Sequence, residues 1–291
     1  MKTFAFCPSF EPGNEADFVF LGVQTKGGDK TVCLDTADML REYSLLYASP
    51  QMWNERILPG WYCLSEEKRL LTGAKLCDAG NIETSLDQCT DIADRLKPIR
   101  NAGAVPVIMG GDHSVTGRVV DSLRIPLQIL HFDAHRDTGP YEGVLTRKNV
   151  ISYLASLDHV RRILTVGIRG IIDLASEDDG STDHEVISMH RIRNTDHRAL
   201  NDSLDSLLPV YLSIDCDVLD PSVCPSVACP SVGGLTIEEC VQLLKILLRS
   251  KTVIGVDFVE AHDDTDPYRR LVTGDTLFIL CTKVLDIVWT H

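Results

Sequence analysis

The sequence predicts an α/β fold of three layers, α/β/α, with a central, mostly parallel sheet. Three observations lead there. Short runs rich in Val, Ile and Leu alternate with amphipathic stretches along all 291 residues. Those runs are continuously apolar, the pattern of strands buried on both faces by the helices that connect them. No low-complexity linker, composition break or internal repeat divides the chain, so residues 1–291 read as a single domain.

Taken in order, DFVFLGV (17–23) is the first expected strand. DTADMLREYSLLY (35–47) follows as a helix, capped by Asp35 or Thr36 and apolar at Leu40, Leu45 and Leu46. SLDQCTDIADRLKPIRNAGA (85–104) reads as a longer helix, bent or broken at Pro98 and ended by Gly103. VPVIM (105–109) and LQILHF (127–132) are strands flanking a short helix from about Ser114 to Leu123. The second half repeats the rhythm. RILTVGI (162–168), the weaker HEVISM (184–189), VYLSI (210–214) and TVIGVDFV (252–259) are strands, and TIEECVQLLKILLRS (236–250) and TGDTLFILCTKVLDIVW (273–289) are helices. The acidic SEDDGSTDH (176–184) is a surface loop.

A formal net charge of −14 argues against a nucleic-acid partner and mildly favours cationic ligands. The basic stretches HVRRIL and HRIRNTDHR read as surface charge. No segment approaches the roughly 20 apolar residues of a membrane span, and MKTFAFCPSFEPGNEADF turns acidic too soon for a secretory signal. The ten cysteines form no CxxC pair and read as reduced thiols, mostly core filler, in a cytoplasmic protein.

Four polar clusters carry the chemistry, each just past the carboxyl end of an expected strand. They are GGDHS (110–114), DAHRD (133–137), DCDVLDP (215–221), and Glu260 with His262. In open parallel sheets that edge is where ligands bind. Alternation along an extended chain would send Asp133, His135 and Asp137 to one side. The convergent set is then His113, Asp133, His135, Asp137, Asp215 and Asp217. Four carboxylates together repel and raise one another's pKa values. Divalent cations remove that repulsion, and four Asp with two His are too many negative charges for a single ion. A carboxylate-rich set favours Mn²⁺ over thiol-seeking metals, and two such ions sharing carboxylates would activate a water between them. Asp220 is expected to be a turn residue before Pro221. His131 is expected on the opposite face, in the core or behind the ligands, and Asp257 either supports the site or is a buried hydrogen-bonded group.

The blocks AVPVIMGGDHSV, ILHFDAHRDT, VYLSIDCDVLDP with GGLT, and VIGVDFVEA resemble, in order, those of the ureohydrolase superfamily of arginases, agmatinases and formiminoglutamases. ILTVGIRGI and LREYSLLY resemble agmatinases in particular. The resemblance implies an arginase-like fold and two Mn²⁺ per chain. His113 and Asp137 would hold one ion and His135 and Asp217 the other, with Asp133 and Asp215 bridging. It also implies hydrolysis of an amidino carbon to urea and an amine, with Glu260 gripping the guanidinium, Asp137 moving the proton, and assembly into homo-oligomers, trimers or hexamers.

This chain departs from the family pattern in three places. TGPYEGVLTRKNV (138–150) lacks the loop histidine the family usually carries, and Arg147 or Lys148 falls near its place. SVACP (226–230) stands where GTGTP is usual, so Cys229 replaces a substrate-loop threonine. Arg136 replaces a small or neutral residue. The acidic chain favours agmatine as substrate, whereas Arg136, Arg147 and Lys148 would suit a carboxylate-tailed guanidino acid. A formiminoglutamase-like hydrolase releasing formamide is the alternative, and a metal-binding pseudoenzyme with a regulatory or assembly role is a rival of another class.

Overall fold

The computed structural model describes residues 2–26, 36–53, 59–85, 90–172 and 184–290. Ten strands and seven α-helices are formed among them. The strands are β1 (Phe18–Lys26), β2 (Trp61–Cys63), β3 (Lys68–Leu70), β4 (Leu76–Ser85), β5 (Val105–Met109), β6 (Leu127–Phe132), β7 (Val160–Ile168), β8 (Glu185–Ser188), β9 (Val210–Asp215) and β10 (Val253–Val259). The helices are α1 (Thr36–Ser44), α2 (Thr90–Asn101), α3 (Ser114–Leu123), α4 (Val150–Ala155), α5 (Met189–Asn194), α6 (Ile237–Leu247) and α7 (Pro267–Thr290).

Eight strands form one sheet in the order β4-β1-β5-β10-β9-β6-β7-β8, and every neighbouring pair runs parallel. The side-chain period of two sends alternate residues into two cores. Met109, Phe132, Leu164, Leu212 and Phe258 pack in a cluster with buried residues of α1, α5, α6 and α7. Their neighbours Ile108, Ile129, Ile163, Tyr211 and Val259 pack in a second cluster with α2, α3 and α4. These are the three expected layers.

The chain order places the site. From β5 the chain passes through α3 to β6, skipping two positions that β10 and β9 fill later. The carboxyl ends of β5, β10, β9 and β6 therefore lie side by side, and these are the four ends that carry the polar clusters.

Several expectations change. The helix expected from Ser85 starts at Thr90 in the described chain, with 86–89 outside the described residues, and Ser85 instead ends β4. That strand, LCDAGNIETS, has too little apolar alternation to read as one; its ladder with β1 decides it. The α2 helix runs unbroken through Pro98 to Asn101, so the proline, three residues from the end, does not stop it. The cap position Asp35, the two cysteines Cys33 and Cys89, and most of the loop 176–184 lie outside the described residues. Of the described cysteines all are free, six are buried and Cys229 is exposed. No helix among the described residues is long and apolar enough to cross a membrane.

Candidate metal centre

Beyond Phe132 the chain leaves the strand, so alternation is not what gathers DAHRD. The chain bends instead, and Asp137 adopts a left-handed backbone, φ 52°. Glu260, just past β10, does the same at φ 67°. Such a conformation costs a non-glycine residue about 1–2 kcal/mol. Both residues carry side chains that face the site, so the surrounding structure holds the strain where it aims a carboxylate. Gly167 of β7 is required nearby: its φ is 112°, and a Cβ there would stand 2.9 Å from the Asp133 carbonyl oxygen.

Four of the carboxylates are each fixed by one backbone N–H. Asp133 Oδ1 accepts from His135 N at 2.5 Å, Asp215 Oδ1 from Asp217 N at 2.8 Å and Asp217 Oδ1 from Ala134 N at 3.1 Å. Glu260 Oε1 accepts from His113 N at 2.8 Å. In every case the second oxygen is left for another partner. His113 Nδ1 lies 3.2 Å from Asp133 Oδ2, 3.3 Å from Asp137 Oδ2 and 3.2 Å from Asp215 Oδ2. On the other side of Asp133, His135 Nδ1 lies 3.0 Å from Asp217 Oδ2 and 3.5 Å from Asp133 Oδ1.

These contacts fit cations better than hydrogen bonds. One ring nitrogen cannot serve three acceptors, and His113 Nδ1 makes no directed bond with any of them. His131 Nε2 and Asp133 Oδ2 are also buried without a directed bond, although 3.0 Å apart. Separations near 3 Å are those of adjacent ligand atoms held at right angles about 2.1 Å from an ion. Two ligand groups result, one of His113, His131, Asp133 and Asp137 and one of Asp133, His135 and Asp217. They share Asp133, the arrangement two bridged ions would use.

The electrostatics agree. Burial raises the pKa values of Asp137, Asp215 and Asp217, and neighbouring carboxylates raise them further. Burial would also raise Asp133, but the three imidazoles around it hold its carboxyl well below the usual range. Desolvation opposes charge on His113, yet three carboxylates lift its pKa well above the ordinary histidine value. Negative charge is in excess, and a divalent cation relieves it.

His131 corrects the sequence reading. It lies on the same side as Asp133, not the opposite one, with its Nε2 3.0 Å from Asp133 Oδ2 just past the strand's end. Its two-residue spacing from Asp133 was the available signal. Its Nδ1 is 3.1 Å from Thr165 Oγ1, so the ring is buried and held from behind as well.

A polar network behind His113 was mostly missed. His113 Nε2 lies 3.1 Å from Ser213 Oγ, which donates to Asp257 Oδ1 at 2.7 Å. Asp257 Oδ2 accepts from Thr116 Oγ1 at 2.8 Å and Tyr211 Oη at 2.9 Å. All five residues are fully buried. Such partners fix which imidazole nitrogen faces a ligand and orient the ring. The signal was Ser213 itself, a hydroxyl in an apolar strand two residues before Asp215. Arg169 was also missed: its guanidinium donates to the carbonyls of Asp217, Val218 and Leu219, pinning that turn.

Among the departures, Arg147 Nη1 donates to Glu260 Oε2 at 3.3 Å. Lys148 is exposed and Arg136 half-buried. Cys229 is exposed, beside Ala228, whose N–H donates to Glu260 O at 3.3 Å. Asp220 is a turn residue: three N–H groups, from Ser222, Gly233 and Gly234, bond its carboxylate. The His262 ring turns to the Asp263 carbonyl.

Comparison with known proteins adds kinship. Residues 49–282 match the family described as the Arginase family. The N(1)-aminopropylagmatine ureohydrolase of Thermus thermophilus is 36% identical over 189 residues, 64% of this chain and 64% of the relative. The guanidinopropionase of Pseudomonas aeruginosa is 31% identical over 220 residues, 70% of this chain and 66% of the relative. In both, the aligned part spans just under two thirds of the relative's length. The proclavaminate amidino hydrolase of Streptomyces clavuligerus superposes with a TM-score of 0.78 at 22% identity, over 99% of this chain and 97% of that one, which shows a shared fold.

Proposed function

The chain belongs to the arginase family, and from that premise we propose that it is a binuclear manganese hydrolase that cleaves a small guanidino compound to urea and an amine. The observation that carries the reading is the pair of ligand groups joined at Asp133, with Glu260 beside them already paired to a guanidinium. The relatives' names, a ureohydrolase and a guanidinopropionase, support the substrate class. Hard carboxylate oxygens outnumber imidazoles, which suits Mn²⁺.

When bound, the ions supply Lewis acidity and make a water nucleophilic near neutral pH. His113, Asp137, His135 and Asp217 would hold them, with Asp133 and Asp215 between. Glu260 grips the substrate guanidinium through Oε2 and so presents its planar carbon to the cage. Asp137, its side chain 14% exposed, takes the proton released as the C–O bond forms. It returns that proton to the leaving nitrogen as the C–N bond breaks. Asp137 and Glu260 are therefore the catalytic residues, and Arg147 and Cys229 line the approach. A homo-oligomer, trimer or hexamer, in the cytoplasm completes the reading.

The test is the Mn²⁺-loaded protein against agmatine, guanidino acids and formiminoglutamate, with urea and formamide scored separately. Urea release supports the proposal. Formamide alone moves the chain to the formimino hydrolases, and neither product from any compound leaves a metal-binding protein without this activity.

A further inference from the structure

We propose that Arg147 is a resident guanidinium on Glu260, and that it selects guanidino substrates carrying an anionic tail. The inference rests on the guanidinium-binding role of Glu260 given above and adds the chemistry of the substrate's far end.

Glu260 has one oxygen to offer. Oε1 is committed to the His113 N–H at 2.8 Å, and Oε2 holds Arg147 Nη1 at 3.3 Å. An incoming guanidinium that bonds Oε2 arrives beside Arg147 and competes with it for that oxygen. The Glu260 side chain is 4% exposed and that of Arg147 22% exposed, so the pair spans the boundary between interior and solvent. The glutamate is fixed and the arginine head is the part that can turn outward.

The backbone beneath Arg147 is pinned. Thr146 and Asn149 cap each other's backbone, and Asn149 Nδ2 donates to the carbonyls of Pro140 and Val144. Gly139 N donates to Lys148 O at 2.8 Å, and Ile151 N to Asp137 O at 3.1 Å. The segment is thus tied to the metal-facing Asp137, and a displaced Arg147 head remains within a side chain's length of Glu260.

Charge then decides which ligand can displace it. A guanidino amine brings a second cation to a carboxylate already paired with one, and leaves Arg147 unpaired beside it. A guanidino acid places its guanidinium on Glu260 and its carboxylate on Arg147, exchanging one internal ion pair for two. Arg147 matches a carboxylate with two parallel N–H donors, which an ammonium cannot do.

The test is calorimetric binding to the Mn²⁺-loaded protein of guanidinium chloride, 4-guanidinobutanoate and agmatine. Wild type is expected to bind 4-guanidinobutanoate at least tenfold tighter than agmatine. Arg147→Ala should invert the order: 4-guanidinobutanoate weakens tenfold or more, while guanidinium and agmatine tighten. Arg147→Lys, which keeps the charge without the fork, should fall between, and circular dichroism confirms that both variants fold. An Arg147→Ala protein with unchanged ratios overturns the inference. Glu260→Gln separates the two levels. If it still binds guanidinium chloride as wild type does, the guanidinium reading of Glu260 fails. If it loses that binding while Arg147→Ala changes nothing, only the tail-selecting role fails.

Discussion

Replacing Ser213 by Ala should loosen metal binding from a position that touches no ion. Its hydroxyl stands between His113 Nε2, 3.1 Å away, and Asp257 Oδ1, 2.7 Å away, with Thr116 Oγ1 at 3.1 Å. The site is dry, with Ser213, His113 and Asp257 all fully buried, so water does not replace the lost group. Asp257 keeps two donors, Thr116 and Tyr211, but His113 Nε2 loses its partner. One lost bond to a charged acceptor and one unpaired buried nitrogen together cost about 2–4 kcal/mol of stability in the metal-free protein. The imidazole also loses what orients Nδ1 toward Asp133, Asp137 and Asp215. Removing a partner of this kind lowers metal affinity about 10–100-fold. The assay is Mn²⁺ titration against a competing chelator, paired with urea unfolding of the metal-free protein. Ser213→Thr, which restores the hydroxyl, should recover most of the affinity. A Ser213→Ala protein that loses stability but binds Mn²⁺ as wild type does would refute the orienting role and leave Ser213 a packing residue.

Three other expectations are open to measurement. Asp133→Ala should remove both Mn²⁺ ions and Asp217→Ala chiefly one, because Asp133 belongs to both ligand groups and Asp217 to one; elemental analysis after reloading reads this directly, and equal losses would contradict a shared ligand. Burial works against charge on Glu66, but the Lys283 and Lys245 ammonium groups hold its pKa at about 2, below the ordinary 4.5. That contribution is fully present above the unfolded value and is lost as pH falls from about 5 toward 2. Solvent screening reduces it to about 1 kcal/mol, and Glu66→Gln should flatten that part of the acid-unfolding curve. Arg41 and Asp78 form a buried fork at 2.8 and 2.9 Å that ties α1 to β4. Arg41→Ala, which removes the counter-charge and leaves the Asp78 carboxylate bonded only by the Phe4 and Gly80 N–H groups, should cost about 3–5 kcal/mol, read by urea unfolding.

Apolar period and strand-end chemistry made much of this protein legible from its residues alone. The runs VPVIM, LQILHF, VYLSI and VIGVDFV are buried throughout or nearly so, so the parallel sheet and the edge that gathers the polar clusters could be read. His113, Asp133, His135, Asp137, Asp215 and Asp217 stood out because unpaired carboxylates at such ends demand a counter-charge. Local sequence did not contain the rest. LCDAGNIETS is a strand only because β1 offers it a parallel ladder. Asp137 reaches His113 through a left-handed turn that no alternation rule anticipates. The rear network of Ser213, Thr116, Tyr211 and Asp257 joins three elements distant in the chain, and the ion pair of Arg147 with Glu260 spans 113 residues. Such contacts are set by strand order, which brings β5, β10, β9 and β6 side by side. Residue type determined what chemistry was available, and tertiary structure decided which groups share an oxygen, because hydrogen bonds and ion pairs act over about 3 Å and chain distance says nothing about that.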